Sequence, residues 1–325
     1  MGLLTLLGLK KPLPGFRHYL HMRATKQDMS ADFSGRQRVH EVANAIGARI
    51  PTIYREHSEP ADIDDAGLPD AFVVKPNCMW STKGVMVLRR RSKGVFHDIL
   101  SRKDVTLDKI IDTQLGWKEK WDSQPRSKPF ATVIEEMVIG ENGADQIPYD
   151  YKCYTFNGEV RFILQINRNV RPVALAFFLN EFATFNYSNH LKTPWKTVQR
   201  AEPVIPKCAK QIIEVASAAS RYLKTPFVSV DTYASLSGPV IGELTRAPGG
   251  PYVGSMFRLK PKLDAEFGAA WRKACDELGE PHPKVVDLGE VVPVRASLVS
   301  ATPPGGPIAR QPGSGAVPPP RATLI

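Results

Sequence analysis

The chain has 325 residues, of which 42% are hydrophobic and 23% charged, and its formal net charge is +10. That balance excludes a fibrous or wholly disordered protein and leaves room for one large domain or a few small ones, with a preference for anionic partners. The four cysteines, Cys78, Cys153, Cys208 and Cys275, form no CxxC pair. This argues against a zinc ribbon or disulfide framework and fits a reducing, cytoplasmic setting.

In chain order, the start "MGLLTLLGLKKPLPG" has too short an apolar run to span a bilayer and lacks the features of a signal peptide. Residues 1–25 are read as an N-terminal arm, its start a short helix or an extended arm, with a membrane surface as one candidate contact. His18 and His21 stand three apart with no third metal ligand nearby. Residues 26–70 form a short N-terminal subdomain, in which Val39, Val42, Ala43 and Ile46 share one face of a helix over 36–48. "DAFVVKPN" is a buried-type strand ending in Lys75-Pro76. The loop "CMWSTKG" and a second strand, "VMVLRR", follow. Residues 95–115 read as helical or mixed and 118–129 as a charged loop; Trp117, Lys118, Lys120 and Trp121 interleave aromatics with charge, the pattern of a nucleic-acid stacking surface but more readily a surface loop lining an acceptor site or a solvated helix end. "FATVIEEMVIGENG" supplies another strand and a turn.

Asn157-Gly158, between alternating runs, is the strongest hairpin signal in the chain. A two-residue loop there sets Tyr154 opposite Arg161 and puts Asp150, Lys152, Tyr154 and Arg161 on one polar face. Cys153, Val160, Phe162, Leu164 and Ile166 fall on the other, core face. Helices are expected over 206–223 and 261–278, and 299–325 reads as a disordered Pro/Gly-rich tail.

The stretch "VDTYASLSGPVIGELTRAPGG" (230–250) is a second hairpin. A three-residue loop, Leu236-Ser237-Gly238, pairs Ser235 with Pro239 and sets Asp231 opposite Glu243. Facing carboxylates repel, so a positive charge is expected between them. A two-residue loop instead sends the two acids to opposite faces.

Four segments, "FVVKPN" (72–77), "IEEMVIG" (134–140), "YDYKCYTFNGE" (149–159) and "SVDTY…GELTRAPGG" (229–250), stand in an order that resembles the ATP-grasp superfamily. The resemblance is closest to the TupA-like branch, associated with teichuronopeptide synthesis and other cell-surface polymer modification, and runs from about Lys26 to about Leu278. It implies an α+β fold with two antiparallel-sheet subdomains, 71–138 and 139–298, clamping ATP. Lys75 and Lys152 would hold the phosphates, and the 78–84 loop with Lys83 would close over them. Backbone groups of Glu135, Glu136, Met137 and Val138 would read adenine, and the region of Asn142 the ribose. Asp231 and Glu243 would coordinate Mg2+. The implied activity is an ATP-dependent carboxylate–amine ligase acting through an acyl phosphate on a small or polysaccharide-linked acid. Nucleic acid is not an expected partner. A phosphotransferase on the same fold and a non-catalytic nucleotide- or polyanion-binding protein are the alternatives.

Arg161 and Arg246 are candidates to bind the acceptor carboxylate or acyl phosphate, because a guanidinium matches such oxygens bidentately. Gly249-Gly250 would let backbone N–H groups approach the same oxygens. The chain departs from the wider superfamily in "CMWSTKG", in Thr245 as third metal ligand, a feature shared with the TupA-like branch, and in Ser229. Many ligases carry an arginine at the Ser229 position, two residues before the first acid.

Overall fold

A computed structural model describes residues 13–25, 35–79, 82–124, 128–248 and 256–283. The disordered-tail reading, the first twelve residues, Trp80-Ser81 and Gly249-Gly250 lie outside these residues.

Two six-stranded sheets organise the chain. The first is built from β1 (Ile53–His57), β2 (Ala71–Pro76), β3 (Met86–Ser92), β4 (Val95–Asp98), β5 (Lys103–Thr106) and β6 (Thr132–Glu136). Its order is β1-β6-β2-β3-β4-β5, antiparallel throughout. Helix α3 (Leu107–Asp122) is capped by the Thr106 hydroxyl and packs Ile110 with Phe72, Val74, Leu88, Phe96 and Ile134. The expected charged loop over 118–129 is therefore helical as far as Asp122. Trp121 is buried and its indole N–H donates to Lys128 O at 2.9 Å.

The second sheet comprises β7 (Asp150–Phe156), β8 (Glu159–Asn167), β9 (Ala174–Leu179), β11 (Gln199–Arg200), β12 (Val228–Ser235) and β13 (Gly238–Thr245). Its order is β11-β9-β8-β7-β12-β13, with only β11–β9 parallel. A short pair, β10 (Leu191–Lys192) with β14 (Arg258–Leu259), stands beside it. One face packs under α2 (Arg36–Ile46) and α4 (Ala209–Leu223), with Val42, Ile212, Ala216, Cys153, Ile163 and Val230 in the core. The other packs under α1 (Phe16–Ala24) and α5 (Pro261–Leu278).

Residues 16–24 are thus not a free arm. Phe16, Tyr19 and Leu20 are buried, and the Phe16 ring meets those of Phe156, Phe227, Phe267 and Trp271 at centroid distances of 4.9–5.9 Å. Burying each such side chain stabilises the fold by about 1.5–3 kcal/mol. Arg23, also buried, donates to Phe227 O at 2.7 Å and Thr225 Oγ1 at 2.9 Å, and its guanidinium lies 4.3 Å from the Trp271 ring centroid.

Two bulges change the expected registers. In the Asn-Gly hairpin Phe156 pairs with Glu159 and Thr155 with Val160, but Tyr154 then faces Phe162, leaving Arg161 as the extra residue. Phe162, Leu164 and Ile166 consequently share the face of Tyr154 and Lys152, not that of Cys153. In the second hairpin the turn has two residues, since Ser235 pairs with Gly238 and Ala234 with Pro239. By itself this would separate the acids, but an extra residue, Gly242, between Ile241 and Glu243 restores the pair Asp231–Glu243. A Cβ at Gly242 would sit 2.8 Å from the Tyr233 ring, so the side-chain-free position lets that ring lie across the bulge.

The α1–α5 contact makes a prediction. A Cβ on Gly268 would stand 2.5 Å from Pro14 O and 2.9 Å from Gly15 Cα. Gly268→Ala is therefore expected to lower unfolding stability by about 1–3 kcal/mol in urea titration; an unchanged midpoint would contradict this docking.

Candidate functional site

Alternation along β7 sends Asp150, Lys152, Tyr154 and Phe156 to one face. The last two join the aromatic core under α1 and α5, while Lys152 and Asp150 carry charge onto the same face. In register, Lys152 pairs with Asp231 of β12 and Asp231 with Glu243 of β13, so three charged residues stand in one row across three strands. The Lys152 ammonium donates to Asp231 Oδ2 and lies 3.3 Å from Asp150 Oδ2. Ser229 donates its hydroxyl to Asp231 Oδ1 at 2.9 Å, and Arg168 reaches Asp150 Oδ2 at 3.2 Å.

The electrostatics follow from burial. Burial raises the Asp231 pKa well above the usual carboxylate range; the Lys152 ammonium opposes this, and Asp150 and Glu243 add to it. Burial works against the Lys152 ammonium, but Asp150, Asp231 and Glu243 more than offset it and raise its pKa. The row is an acid cluster held by too few cations.

From the first sheet, Lys75 on β2 pairs at 2.5 Å with Glu135 on β6, its cross-strand diagonal neighbour. These two line a cavity of about 30 Å³ with Arg36, His40, Ile241 and Gly242. Tyr233 lies between the groups: it pairs in register with Asp150, its ring lies over Gly242 in the lining of that cavity, and burial first of all raises its phenol pKa. The structure therefore brings Lys75, Glu135, Lys152, Asp231 and Glu243 to the border between the sheets.

The remaining expected residues sit as follows. Met137 and Val138 are buried just past β6. The Glu136 carboxylate is taken by the Arg49 guanidinium and by Thr52 N–H at 3.1 Å. Asn142 spends its amide on Gln146 and Ile147 within its own loop, while Glu141 accepts from Lys207 and Cys208 N–H at 2.8 and 3.2 Å, ahead of α4. Lys83 lies in the turn leading to β3. Arg246 donates to Arg23 O at 3.3 Å, near the end of α1. Arg161 pairs with Glu159 at 2.8 Å and does not join the row.

Three residues without an expected role belong here: Asp150, Arg168 and Arg36. One Arg36 nitrogen, Nη1, is buried without a hydrogen-bond partner among the described residues. Asp150 was legible as part of a polar strand face; Arg36 and Arg168 reach the site through tertiary structure that no local pattern marks.

The donor set suits Mg2+ bound with a nucleotide. Among the described residues no group of three or more His, Cys, Asp or Glu could hold a metal alone. Asp231 and Glu243 offer two carboxylates, and Mg2+ characteristically takes one or two carboxylates plus phosphate oxygens and water. An added cation would also offset the burial that, with Asp150 and Glu243 beside it, raises Asp231.

Comparison with known proteins gives a match to the TupA-like ATPgrasp family over residues 19–271. No curated protein matches. Among solved structures, D-alanine–D-alanine ligase from Bacillus anthracis is similar at 19% identity and a TM-score of 0.43, over 75% of this chain and 65% of that one. An L-amino acid ligase from Bacillus licheniformis gives 15% and 0.39, over 78% and 48% of the two chains. The ATP-grasp ligase PsnB, solved with a phosphomimetic precursor variant, Mg and ADP, gives 11% and 0.37, over 79% and 60%. The chain thus spans less than two thirds of each of these ligases, and the assignment rests on the family match and the motifs rather than on them. With its four motifs in order and a match covering most of its length, the chain belongs to the TupA-like ATP-grasp family.

Proposed function

We propose that the protein is a Mg2+- and ATP-dependent ligase that joins a carboxylate to an amine through an acyl phosphate. The observation that carries this reading is the in-register row Lys152–Asp231–Glu243, with the Lys75–Glu135 pair opposite. Lys75 and Lys152 would hold the phosphates, backbone groups of Glu135–Val138 the adenine, and Asp231 and Glu243 the metal. Bound Mg2+ supplies neutralisation of charge on the phosphate oxygens.

A carboxylate oxygen of the acceptor attacks the γ-phosphorus, the bond to the β–γ bridging oxygen breaks, and ADP leaves. The amine then attacks the acyl carbon, phosphate departs with the former carboxylate oxygen, and the amine proton passes to solvent. Arg246, just past β13, would orient the acceptor carboxylate. Holding both reactants in line removes much of the entropic barrier. A cell-surface polysaccharide or secondary pathway is the setting the family suggests. A cytoplasmic site would supply ATP and a reducing setting for the four cysteines, Cys78, Cys153, Cys208 and Cys275. No helix among the described residues is long and apolar enough to cross a membrane.

The test is ADP release with candidate acids labelled with ¹⁸O in the carboxylate, in the presence of an amine. A ligase transfers label to inorganic phosphate and needs both substrates. ADP release without an amine, leaving a stable phosphorylated product, would instead indicate a phosphotransferase.

Two variants sharpen the assignment. Glu243, exposed on the edge strand, should tolerate Glu243→Gln within about 0.5 kcal/mol of stability. ADP formation should fall roughly a hundredfold or more, and full activity would sink the metal role. Lys152→Met removes the cation between two buried acids, so stability should drop by about 3–5 kcal/mol together with nucleotide affinity. Unchanged affinity for ATP would show that Lys152 serves the fold alone.

A further inference from the structure

We propose that Arg168 is the catalytic guanidinium that meets the transferring γ-phosphoryl group, an inference that rests on the ligase reading above. Charge gathers on the three equatorial oxygens during transfer, and positioned cations stabilise it. Two cations meet the buried acids beside the row: Lys152 touches Asp231 and Asp150, and Arg168 touches Asp150. Arg161 is held by Glu159, and Arg246 by the end of α1. Position 229 holds a serine, whose hydroxyl is already given to Asp231.

The Arg168 contact has the character of a resting place. Asp150 Oδ2 takes both Lys152 at 3.3 Å and Arg168 at 3.2 Å, whereas Asp150 Oδ1 is buried without a partner. The guanidinium thus binds through one nitrogen to a shared oxygen, although its fork is built for two. The residue that follows it is held more firmly. Asn169, the next residue, accepts from Ile147 N–H at 2.8 Å and donates to Ile147 O at 2.8 Å, while Arg102 from the first sheet reaches Asn169 O. A fixed base with a weakly held tip suits a group that changes partner when substrate arrives. Because Lys152 and Arg168 approach one oxygen atom, they can share the oxygens of one phosphoryl group. In the step itself the bond from phosphorus to the bridging oxygen breaks, the bond to the acceptor carboxylate forms, and Arg168 donates hydrogen bonds without transferring a proton.

The test is calorimetric binding of Mg·AMPPNP and Mg·ADP to wild type, Arg168→Gln and Arg168→Lys. Arg168→Gln should lose roughly 10- to 100-fold in affinity for AMPPNP and change ADP affinity less than about twofold; Arg168→Lys should recover part of the AMPPNP loss. Equal losses for both nucleotides, or no loss, would overturn the proposal. Should Arg168→Gln fail to fold, Arg168→Lys, which keeps a cation for Asp150, decides by the same comparison. Wild type binding neither nucleotide would overturn this proposal and the ligase reading together. Loss confined to AMPPNP in the variants, with no acid- and amine-dependent ADP release by wild type, would support the Arg168 contact and contradict the ligase reading alone.

Discussion

One extra residue in one strand decides whether this protein has a site. Side chains in a strand alternate with a period of two, so a shift of one sends every following side chain to the opposite face. The two-residue turn after Ser235 would have left Asp231 and Glu243 on opposite faces; the bulge at Gly242 returns them to the same one. The glycine is needed because the Tyr233 ring occupies the space where a side chain would begin. The same ring lies over Gly242, which lines a cavity together with Glu135 of the first sheet. Thus the Gly-Glu of "GELT" links backbone geometry to charge placement.

Asp231 and Lys152 are costly to bury within that row, because desolvation works against both charges and their mutual attraction repays this only with good geometry. Lys152 supplies the attraction between Asp150 and Asp231, yet Asp231 still stands far above an ordinary carboxylate. Such an arrangement stabilises the fold poorly and suits the arrival of further positive charge. Contacts between the sheets keep the row facing the Lys75–Glu135 pair. Arg49 joins Glu136 to Ser237 and accepts from Ile241 N–H at 2.8 Å, and Arg171 donates to Leu100 O at 2.5 Å. The site is therefore a property of the border between two sheets, each with its own apolar core.

Much of this was legible in the sequence where a local rule applies. Asn157-Gly158 marked a hairpin because few residues tolerate the turn, and the alternation of "DYKCY" placed Asp150 and Lys152 together. The need for a cation between Asp231 and Glu243 came from their spacing, and Lys152 partly answers it by binding Asp231. What escaped was non-local. Neither Arg161 nor Gly242 bears a mark of being an extra residue, since a bulge is set by pairing with the neighbouring strand. Helix α1 read as an arm because His18, His21 and Arg17 interrupt its apolar face; Phe16, Tyr19 and Leu20 become core only against α5 and the sheet. Strand β9, "ALAFFL", is a continuous apolar run whose type periodicity does not settle. Arg168 was invisible because its partner, Asp150, lies two strand positions away across a pair formed only on folding.

The central claim is that Asp231 and Glu243 face each other in order to hold a metal-bound nucleotide. The most direct measurement is ATP binding by calorimetry, with and without Mg2+, to wild type and Asp231→Asn. The account predicts tight, Mg2+-dependent binding to wild type and loss of that dependence in the variant. Binding that ignores Mg2+, or that survives unchanged in Asp231→Asn, would contradict it.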